Sequence, residues 1–97
     1  MNPKVTVLMS VYNGEKYLRE SIDSILNQTF NNFEFLIIDD ASIDSSRDII
    51  LSYNDLRIKL IKNNKNVGQA ESLNRGLQEA KAEYVARMDQ DDVSLPL

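Results

Sequence analysis

The chain has 97 residues and a formal net charge of −4, with 42% hydrophobic and 27% charged residues, a composition typical of one modest globular domain. Because the charge is negative and the 11 basic residues are scattered, a nucleic-acid backbone is excluded as an expected partner. The absence of cysteine and histidine excludes disulfides, thiol nucleophiles and the usual transition-metal ligands, so any chemistry must use carboxylates, hydroxyls, amides and amines.

Strand and helix patterns alternate through the first half of the chain. The β-branched apolar run at 4–9 (KVTVLM) predicts a buried strand. Residues 15–28 carry leucine and isoleucine at helical spacing with charged residues opposite, which predicts an amphipathic helix. A second predicted strand covers 33–38 (FEFLII), and Ser42 or Asp44 is expected to cap the helix that follows.

The same alternation continues through the second half. The second helix is expected to end near 54–55, after which residues 57–62 alternate as a third strand. Residues 63–68 (NNKNVG) have the composition of a turn, a third helix is predicted over about 69–80, and a fourth strand over 83–88. The residues that this third helix is expected to bury are Leu73, Leu77 and Ala80.

Strands and helices that alternate with short connections predict an α/β fold, a Rossmann-like βαβαβαβ unit with a mainly parallel sheet and flanking helices. Ligands of such open sheets bind at the carboxyl ends of the strands. The polar residues that follow the predicted strands, and are therefore expected at that end, are Ser10, Tyr12, Asn13, Asp39, Asp40, Asn66, Asp89, Asp91 and Asp92.

Three acids, Asp89, Asp91 and Asp92, occupy four positions after the fourth strand. Two such charges about 4 Å apart repel by about 4 kcal/mol at an effective dielectric constant of about 20, so their convergence predicts a cation. Oxygen ligands alone favour Mg²⁺ or Mn²⁺ ahead of Ca²⁺, and such ions usually share their coordination with substrate phosphates. The sequence has no glycine-rich phosphate loop, so phosphate charge would be neutralised by the metal with help from Arg75 or Arg87.

Five segments, in this order and spacing, resemble a family 2 glycosyltransferase. They are VYN (11–13), SILNQTF (24–30), IIDDAS (37–42), NVGQAESLNRG (66–76) and MDQDD (88–92). Each segment alone is weakly specific, but together they cover nearly the whole chain. The resemblance implies a GT-A fold and an inverting enzyme that uses a nucleotide-sugar donor.

The resemblance also implies roles at the nucleotide. Ser10 and Tyr12 match residues that meet the nucleoside, with Tyr12 near the base, and Asp40 matches the acid that contacts the edge of uracil or an equivalent base. Arg75 falls in the helix region that faces the nucleotide. Asp89 and Asp91 match the DxD motif, in which the first acid lies near the ribose and metal and the second binds a Mn²⁺ or Mg²⁺ ion that bridges the diphosphate.

Members of this family continue well past the DxD motif, so residues 1–97 match the nucleotide-binding half of a longer domain. The acceptor site and the general base are expected beyond Leu97, and no catalytic residue is expected within the chain, which should bind nucleotide only and could self-associate. The expected partners are a UDP-sugar and a glycan, lipid-linked or protein acceptor in polysaccharide biosynthesis. The expected location is cytoplasmic, at the inner face of the membrane in the full-length protein.

Two other classes remain as alternatives. A nucleotidyltransferase also uses an α/β sheet and metal-binding acids, but it should carry a glycine-rich and basic loop after the first strand, unlike SVYNGEKYL at 10–18. A non-catalytic module such as a phospho-acceptor receiver domain should carry an aspartate at the end of its third strand. The segment KLIKNN at 59–64 has none.

Overall fold

The computed structural model describes residues 3–28 and 31–89, and strands and helices alternate throughout them as predicted. The helices and strands are β1 (Val5–Val11), α1 (Glu15–Leu26), β2 (Phe33–Asp39), α2 (Ser46–Leu51), β3 (Ile58–Lys62), α3 (Gln69–Glu79) and β4 (Tyr84–Asp89). Among the described residues no helix is long and apolar enough to cross a membrane.

The four strands form one parallel sheet in the order β3-β2-β1-β4, which confirms the predicted α/β class. The register pairs Val11 with Asp39 on one side of β1 and Ser10 with Asp89 on the other. On the far side of β2, Asp39 pairs with Lys62. The carboxyl ends of all four strands therefore lie together, at what is called below the carboxyl end of the sheet.

Helix α2 is shorter than the sequence predicts. It ends at Leu51, because the following turn tightens: Tyr53 N donates to Ile50 O at 3.2 Å, three residues back, and the Ser52 hydroxyl donates to Ile49 O at 2.6 Å. The N-cap residue of α2 is Ser45, which makes no side-chain capping hydrogen bond, so the prediction that Ser42 or Asp44 holds this position is wrong. The Asp44 carboxylate accepts a hydrogen bond from the backbone N–H of Ser46 at 2.8 Å.

The two faces of the sheet are covered unequally. Helices α1 and α2 cover one face over a large apolar cluster, whose buried members are Met9, Val11, Leu18, Ile22, Ile25, Phe33, Phe35, Ile37 and Ile50. Helix α3 covers the other face, where the buried cluster is Leu8, Leu36 and Ile38. The alternation of side chains along each strand separates these two sets.

Helix α3 approaches the sheet through small residues. Ser72 and Gly76, four positions apart, are its buried residues, and a Cβ on Gly76 would collide with Leu8 and come within 2.7 Å of Ile38 Cδ1. Leu73 packs against the small cluster as predicted. The predicted burial of Leu77 is wrong, since its side chain is 51% exposed: the Ser72–Gly76 stripe faces the sheet and directs the next residue away from it.

Candidate functional site

A cavity of about 520 Å³ opens at the carboxyl end of the sheet. Four predicted site residues line it together: Ser10, Tyr12, Asp40 and Asp89. They come from the ends of three strands and meet only because β1 lies between β2 and β4. The other residues that line the cavity are Asn66, Gly68 and Gln69.

Asp40 is buried and holds the loop that precedes α3. Its Oδ1 accepts hydrogen bonds from Val67 N at 2.8 Å and Asn63 Nδ2 at 3.0 Å, and its Oδ2 accepts one from Gly68 N at 2.9 Å. Burial opposes ionisation of Asp40, but the hydrogen bonds from Val67, Asn63, Gly68 and Ser72 outweigh it and lower the pKa of the carboxyl. The carboxylate is therefore charged at neutral pH, where it can only accept hydrogen bonds.

The loop that Asp40 holds has a conformation suited to glycine. Gly68 lies directly before α3 and has φ +94°, a backbone angle that residues other than glycine rarely adopt. Its N–H points to Asp40 and its own backbone borders the cavity. The turn predicted over residues 63–68 contributes Asn66 and Gly68 to the wall of the cavity.

Tyr12 lies on the loop between β1 and α1, which is hydrogen-bonded to the loop that precedes α2. Asn13 has φ +49°, and its side-chain oxygen accepts a hydrogen bond from Ile43 N at 2.9 Å while its own N–H donates to Ser42 Oγ at 3.0 Å. Further bonds between the two loops join Gly14 to Ser46, Glu15 to Asp44 and Ser45 to Glu15. These reciprocal bonds fix the loop that carries Tyr12, a residue that is 43% exposed and lines the cavity.

Asp89, the first acid of the DxD match, is held from two directions. Its Oδ1 accepts hydrogen bonds from Gln69 Nε2 at 3.1 Å and from Arg87 Nη2 at 3.3 Å. Asp91 lies outside the described residues, so its predicted role as a metal ligand stays a prediction. Within the described part of the chain, no group of three or more acidic residues is arranged to hold a metal ion.

Arg75 lies apart from the other predicted site residues. It lines a separate cavity of about 360 Å³ with Asn63, Asn64, Lys65, Val67 and Glu71. Its guanidinium donates to Asn63 Oδ1 at 2.6 Å and to Lys62 O at 3.2 Å. The predicted contact between Arg75 and the nucleotide thus stays a prediction, while its observed contacts are with the end of β3.

Asp39, the other acid of the IIDDAS segment, serves α2. Its carboxylate is fully buried and pairs with Arg47 Nε at 2.8 Å. Among the residues that the structure describes, Asp39 Oδ1 has no hydrogen-bond partner. Asp40 directly follows β2 and lies on the opposite face of the sheet from Asp39, so of these two acids only Asp40 lines the cavity.

Sequence reasoning missed Asn63 and Gln69. Asn63 directly follows β3 and is 6% exposed, so the rule that singled out polar residues after the other strands could have found it. Gln69 is the first residue of α3, and no feature of the sequence linked it to Asp89, 20 positions later.

Comparison with known proteins agrees with this geometry. The model of the family described as glycosyl transferase family 2 matches residues 6–97. The chain is 39% identical to the UDP-Glc:alpha-D-GlcNAc-diphosphoundecaprenol beta-1,3-glucosyltransferase WfgD of Escherichia coli, over 92% of this chain and 35% of that protein. It is 35% identical to glycosyltransferase GlyG of Streptococcus pneumoniae, over 96% of this chain and 32% of that protein. The chain thus spans about a third of the length of the curated relatives it matches.

Solved structures give the same result. TarS of S. aureus (residues 1–349) in complex with UDP-GlcNAc matches with a TM-score of 0.88 and 34% identity, over 93% of this chain and 27% of that one. The mannosyltransferase PcManGT of Pyrobaculum calidifontis, in complex with GDP-Man and Mn²⁺, matches with a TM-score of 0.83 and 29% identity, over 96% and 29%. With its parallel four-stranded sheet, its cavity and these matches, the chain belongs to glycosyl transferase family 2 and has the fold of GT-A enzymes.

Proposed function

We propose that the protein transfers a sugar from a nucleoside diphosphate sugar, preferably a UDP-sugar, and that this chain binds the nucleotide. The observation that carries this proposal is the convergence of Ser10, Tyr12, Asp40 and Asp89 on one cavity at the carboxyl end of the sheet, in a chain of this family. Complexes of TarS with UDP-GlcNAc and with UDP favour uridine as the nucleoside.

Tyr12 and Asp40 suit the nucleoside. The exposed ring of Tyr12 can pack against a flat base, and an ionised Asp40 accepts hydrogen bonds but donates none. A base edge that offers an N–H, as uracil does at N3, satisfies this requirement. Cytosine presents an acceptor at the same position and is disfavoured.

Asp89 and Asp91 suit a metal-bound diphosphate. Asp89 brings a carboxylate to the cavity wall, where Gln69 and Arg87 both donate to its Oδ1. One or two carboxylates, completed by substrate phosphates, are what Mn²⁺ or Mg²⁺ requires, so the oxygen donors available here fit such an ion. A bound ion would supply Lewis acidity that stabilises the negative charge of the departing nucleoside diphosphate.

Acceptor recognition and the general base are assigned to parts of the protein outside these 97 residues. We infer an inverting transfer to a glycan, lipid-linked or protein acceptor, at the cytoplasmic face of the membrane. A lipid-linked acceptor is supported by the name of WfgD, which specifies a diphosphoundecaprenol substrate. No described residue is assigned to catalysis.

Isothermal titration of the full-length protein with UDP and with GDP, in Mn²⁺ and then in EDTA, tests the proposal. We expect UDP to bind in Mn²⁺, and we expect the affinity to fall at least tenfold in EDTA and in Asp89→Asn or Asp91→Asn, since each removes part of the metal site. Asp48→Asn is the matched control, because Asp48 is an exposed acid on α2. If neither nucleotide binds to the folded protein in Mn²⁺, the proposed function is wrong.

A further inference from the structure

Arg75 is connected to Asp40 through a single buried side chain. Arg75 Nη1 donates to Asn63 Oδ1 at 2.6 Å, and Asn63 Nδ2 in turn donates to Asp40 Oδ1 at 3.0 Å. The same Nδ2 donates to Ser72 Oγ at 2.9 Å. A chain of hydrogen bonds thus runs from an exposed guanidinium on α3, through the end of β3, to the carboxylate in the cavity wall.

The chemistry of Asn63 explains what Arg75 does in this chain. An asparagine amide has an acceptor end and a donor end, while a guanidinium can only donate. Arg75 therefore accommodates only the oxygen of Asn63, and the amide nitrogen is directed to Asp40. Without Arg75, the Asn63 oxygen loses its described donor in a site where the residue is 6% exposed, and a buried acceptor left without a donor is costly.

The position of Arg75 argues against direct phosphate binding. It lines the cavity on the other side of the 63–68 loop from Ser10, Tyr12 and Asp89. Its two described hydrogen bonds both go to the end of β3. The loop between the two cavities is the one that Asp40 holds through Val67 and Gly68.

We propose that Arg75 is a positioning residue for the nucleoside, which acts through Asn63 on Asp40 and does not contact the diphosphate. This proposal rests on the proposed nucleotide-binding function and refines it. Arg75 orients the Asn63 amide, and that amide helps to orient the Asp40 carboxylate. The carboxylate in turn holds the loop that carries Asn66 and Gly68 and presents an oxygen to the base.

The test compares uridine with UDP in the full-length protein with Mn²⁺. If Arg75 acts through Asp40, Arg75→Leu weakens uridine and UDP by the same factor, about fivefold for the loss of one such hydrogen bond. If Arg75 binds phosphate, UDP binding is weakened in a salt-dependent way while uridine binding is unchanged, and the proposal is overturned. An unchanged affinity for both ligands overturns it as well.

Two further variants control for charge and shape. Lys65→Leu removes another cation from the wall of the same cavity, and because Lys65 makes no hydrogen bond to Asn63 or Asp40 among the described residues, both affinities should stay as in the wild type. Arg75→Lys keeps one donor for the Asn63 oxygen and should recover most of the uridine affinity. An equal loss of ligand affinity in Lys65→Leu and in Arg75→Leu would overturn the proposal, because the positive charge of the cavity alone would then account for the effect.

A measurement without nucleotide separates this proposal from the proposed function. In nuclear magnetic resonance spectra, the Asn63 side-chain amide protons should be protected from solvent exchange in the wild type and should shift and lose protection in Arg75→Leu. Identical Asn63 signals in the two proteins would overturn the proposal that Arg75 orients Asn63. Failure of the wild-type protein to bind uridine or UDP, with the Asn63 signals changed as expected, would instead refute the nucleotide function.

Discussion

The two faces of the sheet are stabilised in different ways. The face under α1 and α2 is mostly apolar, with nine buried residues in one cluster and the Asp39–Arg47 pair at its carboxyl end. The face under α3 has three, and polar residues flank them: Thr6 and Ser10 lie on either side of Leu8 in β1. One face supplies most of the apolar burial, and the other provides the side chains of the candidate site.

Polar networks hold the α3 face at both of its ends. At the amino end of the sheet, Glu34 accepts hydrogen bonds from the Thr6 hydroxyl at 2.5 Å and from Lys81 N at 2.7 Å, which fastens the connection between α3 and β4. At the carboxyl end, Asp40 and Asn63 fasten the connection between β3 and α3. Hydrogen bonds at both ends thus position α3, on the face whose carboxyl end must keep polar side chains for the candidate site.

The largest expected effect is truncation on the apolar face. Phe35→Ala removes a fully buried ring and should lower the free energy of unfolding by about 4 kcal/mol. Leu36→Ala, on the α3 face, should cost about 2–3 kcal/mol, because it removes fewer buried atoms and because its smaller cluster leaves more room for relaxation. Urea unfolding followed by circular dichroism measures both, and equal losses would contradict the difference between the faces.

Asp40→Asn tests the network at the carboxyl end. An amide in place of the carboxylate can direct its NH₂ at the N–H donors of Val67 and Gly68, so we expect a loss of about 2–3 kcal/mol at pH 7 together with weaker UDP binding. The pKa of Asp40 lies below its ordinary value of 3.8, so its ionised form stabilises the fold above about pH 4 and this contribution is lost as the pH falls through the folded-state pKa.

The stability difference between wild type and Asp40→Asn should therefore shrink when urea unfolding is repeated at progressively lower pH. A difference that stays constant from pH 7 to pH 3 would show that the charge of Asp40 does not contribute.

Gly76→Ala tests how closely α3 approaches the sheet. Alanine favours a helix by about 1 kcal/mol over glycine, but here its Cβ would press on Leu8 and Ile38. We expect a net loss of about 1 kcal/mol from overpacking, measured by thermal unfolding. A rise in melting temperature would mean that the small cluster can move aside, and that its packing is looser than the contacts indicate.

Leu77→Gln is expected to have the smallest effect. Its side chain is 51% exposed, so the free energy of unfolding of this chain should change by less than about 0.5 kcal/mol. The matched substitution Leu73→Gln, in the small cluster, should cost several times more. If Leu77→Gln were the more damaging variant, α3 would have to face the sheet through a different side.

The expectation that this chain self-associates stays a prediction.

Local patterns in the sequence were sufficient for the order of strands and helices and for much of the site. Side-chain spacing distinguishes a strand from a helix over a few residues, and parallel strands place their carboxyl ends together. Those two rules are enough to predict that Ser10, Tyr12, Asp40 and Asp89 lie close together, as they do in the cavity wall. The family resemblance then supplied roles that residue spacing does not contain.

Only the tertiary structure decided which partner each polar group has. Asp39 and Asp40 are adjacent and chemically identical, yet one anchors α2 through Arg47 and the other holds the loop before α3. Arg75 reaches Asn63, and Gln69 reaches Asp89. Spacing along the chain predicts the face on which a side chain lies, but a hydrogen bond depends on distance and direction between segments far apart in sequence, which are set only when those segments pack.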